Sequence, residues 1–229
     1  MNGNPDVRLL RLFQLASPML PVGAYSYSQG LEAAIDAGAV SDAASVRRWI
    51  TDVLECSMGR LEAPVLLRLT AAWRAQDFSA VTHWNEIFLA ARETAEMRAE
   101  TVQMGFSLAR LLAELGGIDE SALMHLRQLE EPGFPTAFAL ALAQWEIPRQ
   151  DGLTAYIWAW LENQILAAVK TVPLGQTEGQ RMLLEMSAQI AQAVEMAGRL
   201  GDDELGSFMP RLAILSSRHE TQHTRLFRS

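Results

Sequence analysis

Only one cysteine, Cys56, stands in the 229 residues of the chain. A single thiol cannot close an internal disulfide or build a thiolate cluster, so a reducing compartment suits this sequence. Within VLECSM the thiol falls on an apolar helical face, the setting of a buried, inert sulfur rather than a nucleophile. Lysine is equally scarce, with Lys170 alone among nineteen Lys and Arg residues. There are three tyrosines and few β-branched runs, while alanine and leucine are abundant, which leans the composition toward helix. No segment alternates apolar and polar residues as a half-buried strand would, and no fixed-period repeat or low-complexity linker is present.

Positive charge is short as well. The net charge is −8, which argues against nucleic acid as a partner because phosphate binding needs a basic footprint. The imbalance is not uniform. Residues 208–229 hold arginines 211, 218, 225 and 228 against Glu220, a net of +3, which leaves −11 of the −8 total on residues 1–207. A basic tail on an acidic body is expected to dock on something acidic, either its own body or a partner. Long apolar runs are also missing. The longest charge-free stretch, residues 12–31, is broken by Pro18, Pro21, Gly23 and the polar SYSQ, so it is no membrane span. No secretory signal pattern is visible at the start, and a cytoplasmic protein is expected.

What is present reads at the helical period. Residues 7–16 form a short amphipathic helix that stops before Ser17-Pro18. Ser26 with Gln29 makes a capping-box pattern for a helix to Ala37, closed by Gly38. Asp42 caps the next helix, and Pro64 suits the first turn of another. A helical pattern from Phe78 to Leu115 is too long for one helix, so a break is expected between Glu100 and Gly105, with Gly116-Gly117 as its end. Asp119 opens a further helix, and EPGFP (131–135) is a turn. Helices over residues 136–145 and 153–170 follow, the latter capped by Asp151. VPLGQ is a break, Thr177 with Gln180 repeats the capping-box pattern, and Pro210 starts a last helical segment. The expectation is one all-α domain over residues 1–229, a bundle of about ten helices with short N- and C-terminal extensions.

Several chemistries fail on spacing. There is no G-x-x-x-x-G-K-[ST], no G-x-G-x-x-G after a strand and no G-x-S-x-G elbow. The tail does contain HETQH, His219 to His223, a literal H-E-x-x-H, so a zinc-dependent hydrolase using His219, Glu220 and His223 stands as the alternative reading. A zincin needs a third protein ligand, and TRLFRS after His223 supplies none. Lys170 ends an apolar helix, a position that suits any cation, although a lone lysine in an arginine-rich chain also fits a need for a compact ammonium. Residues 91–112 alternate acids and arginines at helical spacing. They read either as intrahelical ion pairs or as a partner face with methionine and arginine contacts.

Four stretches resemble the signature regions of the urease accessory protein UreF family, in that family's order: QLASPMLPVGAYSYSQGLEAAIDAG (14–38), ETAEMRAETVQMGFSLARLL (93–112), ENQILAAVKTVPLGQTEGQRML (162–183) and PRLAILSSRHETQHTRLFRS (210–229). The resemblance implies an all-α protein that tends to dimerise, with no catalysis of its own. Such proteins join the accessory protein UreD (called UreH in some systems) and the nickel-binding GTPase UreG on apo-urease, promote nickel insertion and gate or stimulate GTP hydrolysis. The implied cofactor is none, nickel being handled by partner proteins. Position by position, the N-terminal motif offers Ser17, Pro18, Pro21, Gly23, Tyr25, Ser26, Ser28, Gln29, Gly30 and Glu32. The turn offers Lys170, Pro173, Gly175 and Gln176. The tail offers Ser217, Arg218, His219, Glu220, Thr221, Gln222, Arg225, Leu226 and Phe227, a basic segment with a Leu-Phe anchor that orders on binding UreD. The family pattern carries an aromatic residue, often tyrosine, where His223 stands, so no metal ligand is assigned there.

Overall fold

Each helix begins where something satisfies the free N–H groups of its first turn. In the computed structural model, which describes residues 4–229, the Asn4 side chain does so for α1 (Pro5–Ala16) by accepting from the Asp6 amide. α2 (Leu31–Asp36) follows a proline-rich crossing, and α3 (Ala43–Val53) starts at the expected Asp42, whose carboxylate accepts from Ser45 N–H at 2.8 Å. α3 then runs without a break through a π-helical stretch, Leu54–Glu62, into α4 (Ala63–Ala75). Pro64 therefore lies in the middle of one long rod rather than opening a separate helix. α5 (Phe78–Ala90), α6 (Ala95–Leu115), α7 (Glu120–Gln128), α8 (Phe134–Gln144), α9 (Arg149–Thr171), α10 (Gln176–Arg199) and α11 (Pro210–His219) complete the chain. With α3 and α4 joined, the described residues form ten continuous rods and no strand, the all-α single domain expected.

The centre is α8, apolar on every side, with each residue from Pro135 to Ala143 buried. A helix without a polar face has to sit inside. Its alanines let α4 and α6 pack closely against it, while α9 packs on α1 and α10. The turn before α8 is tied down by buried Asn85 of α5, which donates to the Glu131 carbonyl at 2.9 Å and accepts from Gly133 N–H at 2.8 Å and the Thr136 hydroxyl at 2.7 Å. That turn presses on α6 where Gly105 stands. A Cβ at Gly105 would lie 1.9 Å from the Pro132 carbonyl oxygen. Gly105 thus serves close packing and does not break a helix. The break lies earlier, at residues 91–94, where the Thr94 hydroxyl caps α6 by accepting from Met97 N–H at 3.2 Å.

Three other expected caps move. Ser26 closes a 3-10 turn, Ala24–Ser26, and its hydroxyl donates back to the Gly23 carbonyl at 2.6 Å, so α2 starts five residues later. Ser28 takes the capping role instead, its oxygen accepting from Glu32 N–H at 3.2 Å. Asp151 lies inside the first turn of α9, which Pro148 opens, and α10 begins at Gln176 after Gly175 rather than at Thr177. Cys56 falls in the π-helical stretch and is half-buried.

Candidate functional site

The three sets of residues singled out in the sequence, more than 190 positions apart at their extremes, meet at one end of the bundle. The N-terminal set forms the floor. Ser17 ends α1, and its hydroxyl accepts from Met19 N–H at 3.1 Å, bending the chain into the Pro18–Pro21 crossing. Gly23 (φ 81°) and Gly30 (φ 77°) take the left-handed backbone. Gly30 is doubly constrained, because a Cβ there would meet Leu212 Cδ1 at 2.8 Å. Gln29 shares that backbone region (φ 53°) without being glycine. Its side chain holds it there, donating to Glu100 at 2.6 Å and accepting from the Trp160 indole N–H at 2.7 Å.

Residues 220–229 fold back over this floor as a bent strap. The Ser28 amide and hydroxyl both donate to the Ser229 carbonyl, at 2.9 and 2.5 Å, and Arg228 N–H donates to the Ser26 carbonyl at 2.8 Å. Glu32 receives the strap's backbone: one carboxylate oxygen accepts from Leu226 N–H at 2.7 Å and the other from Phe227 N–H at 2.9 Å. Over its last four residues the side chains alternate between solvent and body. Leu226 is 63% exposed, Phe227 is buried, Arg228 is exposed and Ser229 is buried. The Leu-Phe pair is therefore split, with phenylalanine anchoring the strap to its own body and leucine facing outward.

His219 is the lock at the start of the strap. Its ring is fully buried, with Nδ1 2.8 Å from Glu96 and Nε2 3.2 Å from Glu32. Glu96 also receives Arg225 at 2.9 Å. The basic tail is thus docked on the acidic body of the same chain. This arrangement removes the hydrolase reading. α11 ends at His219, so His219 and His223 do not share a helical face, and the first imidazole is already committed to two carboxylates while the second is exposed. Among the described residues no group of three His, Cys, Asp or Glu side chains is arranged around a common ion position.

The turn after α9 reaches the same surface from the side. Lys170 is exposed and its Nζ lies 5.6 Å from the centre of the Phe227 ring, a cation–π contact. Pro173, Gly175 and Gln176 are exposed beside it, as are Tyr25 (67% exposed), Ser217, Arg218, Glu220 and Thr221; Gln222 is half-buried. Ser17, Pro18 and Tyr25 also edge an interior cavity. Pro21 is exposed, and Ser26, Ser28 and Glu32 are consumed by internal hydrogen bonds.

Sequence reasoning missed the acids beneath. Glu96 and Glu100 lie one turn apart on α6 and face the strap rather than pairing along their own helix; Arg110 with Glu114, at 3.8 Å, is an intrahelical pair at its far end. Glu100 is buried, and burial raises its carboxyl to about 7, against the pull of its hydrogen bonds from Gln29 and Ser229. Deeper still, Glu62 pairs with Arg92 at 3.2 Å and accepts from the Tyr156 hydroxyl, and burial beside that acid holds the Tyr156 hydroxyl well above the ordinary phenol range. The usable signal was the position of Glu100 on the same helical stripe as Met97, Met104 and Leu108, a charged residue in an apolar row.

A model of the UreF family matches residues 40–187, which leaves both the N-terminal floor and the strap outside it. Full-length relatives cover those ends. The chain is 56% identical to the urease accessory protein UreF of Azoarcus sp. (strain BH72) over the whole of both chains. It is 50% identical to that of Janthinobacterium sp. (strain Marseille), covering 96% of this chain and 98% of the relative, and 50% identical to that of Methylobacillus flagellatus, covering 96% and 97%. The chain belongs to the UreF family of urease accessory proteins.

Proposed function

We propose that this chain works as a non-enzymatic adaptor in urease maturation, joining UreD (UreH) and the GTPase UreG on apo-urease and gating or stimulating GTP hydrolysis as nickel is delivered. It needs no cofactor of its own, because nickel stays with the partner proteins. It acts in the cytoplasm, as a homodimer within the complex. Among the described residues no helix is long and apolar enough to cross a membrane.

One observation carries the reading: floor, turn and strap make a single composite surface whose inner residues are spent on folding and whose outer residues stay exposed. Leu226, Tyr25 and Lys170 stand on that surface, and the exposed tyrosine is of the type that protein interfaces concentrate. UreD is assigned to this face, with Leu226 as its apolar anchor.

The test is capture of UreD by the full-length chain carrying Leu226→Asp, with Lys170→Ala beside it. Leu226 is exposed and its amide bond to Glu32 does not involve its side chain, so the fold is retained. Leu226→Asp is expected to weaken UreD capture by about tenfold or more, a hot-spot loss, and to lower urease activation in reconstitution. Undiminished capture and activation by both variants would remove UreD from this face.

A further inference from the structure

Beneath the Ser17–Pro18 bend lies a cavity of about 100 Å³. Its lining runs from exposed Pro18 and Tyr25 to the buried Glu62, Arg92 and Glu100. Leu15, Met97, Met104, Phe134 and Phe138 make the walls between them. The polar end is built rather than incidental. Glu62 is held by Arg92 and Tyr156, and Glu100 by Gln29 and Ser229. One donor there is left over: Arg92 Nε is buried without a hydrogen-bond partner, on a side chain only 6% exposed. An unpaired buried donor is costly, and the Glu62 and Glu100 carboxyls retain lone pairs beyond the bonds they already accept.

Charge narrows what would fit. Arg92 offsets Glu62, and Glu100, raised to about 7, is near half-protonated at neutral pH. An anion would face two acids. A cation would have to shed its water in exchange for a carboxyl that burial has already pushed toward neutrality. A neutral molecule with one hydroxyl meets neither penalty, since a hydroxyl both accepts and donates. Size narrows it further: apolar cavities of roughly 150 Å³ admit benzene, so this one holds a single ring when its open end contributes.

We propose that this cavity is a binding site for a small uncharged amphiphile of the phenol or benzyl alcohol class. The hydroxyl accepts from Arg92 Nε at the acid-lined end, and the ring lies against the methionine and phenylalanine walls. Phe134 and Tyr156 already stack there with centroids 5.6 Å apart, and thioether–aromatic contacts from Met97 and Met104 favour a ring. The site lies under the composite surface yet does not rest on the adaptor reading, because binding is measured on the isolated full-length chain.

The experiment titrates 4-bromophenol, 4-bromobenzoate and 4-bromobenzylammonium into the full chain by calorimetry and locates bromine by anomalous diffraction. Expected are saturable one-to-one binding of bromophenol, affinities at least about tenfold weaker for both charged probes, and a bromine peak between Met104 and Phe134. Ala159→Leu, which fills part of the lining, should abolish binding while the chain stays folded. No saturable binding at the solubility limit, equal binding of a charged probe, or bromine outside the cavity would each overturn the proposal. The bromine position decides the matter even if Ala159→Leu fails to fold.

Discussion

Glu32 is the residue on which the strap most depends, and Glu32→Gln isolates that dependence. The carboxylate accepts three bonds: Leu226 N–H at 2.7 Å, Phe227 N–H at 2.9 Å and His219 Nε2 at 3.2 Å. A glutamine of the same shape offers one carbonyl oxygen, which can serve one strap amide. Its NH₂ then faces the other donors and can accept from none. Each hydrogen bond to a charged group is worth about 1.5–3 kcal/mol, and an unpaired donor adds to that loss only at the part-buried Phe227 amide, the Leu226 amide being open to water. His219 keeps Glu96, so its ring is not fully orphaned. The expected local destabilisation is therefore about 2–4 kcal/mol, confined to the strap because the cores of α4 and α8 do not touch Glu32 through any of these bonds. Native-state hydrogen exchange reads this directly: the Leu226 and Phe227 amides should exchange about thirty- to a thousandfold faster, while amides of α8 keep their protection. Unchanged exchange at Leu226 and Phe227 would mean that the carboxylate does not hold the strap. Acceleration spread evenly over the chain would mean that the strap is not a separate unit.

Gly105→Ala should lower stability by at least about 3 kcal/mol in urea denaturation, because its Cβ meets a backbone carbonyl, Pro132 O at 1.9 Å, which has no rotamer to yield; a loss under about 1 kcal/mol would show that the 131–135 turn moves freely. Glu100 makes stability fall as pH rises. Its folded-state carboxyl holds a proton up to about 7 while the unfolded chain releases it near the ordinary 4.5, so the contribution is complete below 4.5 and is lost as pH climbs through 7, by roughly 3 kcal/mol. Glu100→Gln keeps a bond to Gln29 and to the rotatable Ser229 hydroxyl and should flatten that slope in urea titrations run between mildly acidic and mildly alkaline pH; equal slopes would contradict it.

Much of the fold was legible where a local rule had no competitor. Asp42 and Asp119 cap the helices they were expected to cap, and Gly116-Gly117 ends α6 with positive φ at both residues. The helix expected over residues 136–145 is α8, though its burial on every side was not read from the sequence. Errors arose where one residue satisfies two rules. Ser26 and Ser28 both precede a candidate capping partner, and only the tertiary bond from Ser28 to Ser229 selects between them. Gly105 looks like a helix breaker in one dimension, whereas it is a contact with a turn nearly thirty residues away. The π-helical stretch Leu54–Glu62 left no compositional mark; it packs against α10, where a Cβ added to Gly59 would meet Met196 Cε at 2.8 Å. The candidate site was legible as a set of residues but not as an arrangement, since Glu96 and Glu100 become strap ligands only once α6 is placed.

The charge split between body and tail now has a cause, and that cause divides the tail's residues by role. Arg225 pairs with Glu96, and the His219 ring is held between Glu32 and Glu96, so these groups cannot also be offered to a partner without opening the strap. A partner reading the closed surface meets Leu226, Tyr25, Lys170 and the exposed Arg218, the outward half of each motif. A substitution in the inner half, such as Glu32→Gln, therefore disturbs binding only through strap order, and its effect on UreD capture should scale with its effect on hydrogen exchange. A substitution in the outer half, such as Leu226→Asp, should weaken capture while leaving exchange at Phe227 untouched. Plotting capture against exchange for the two classes separates docking from folding. If Leu226→Asp fell on the same line as Glu32→Gln, the outward leucine would be acting through strap order alone, and the division of the motif into an anchoring and a contacting half would be wrong.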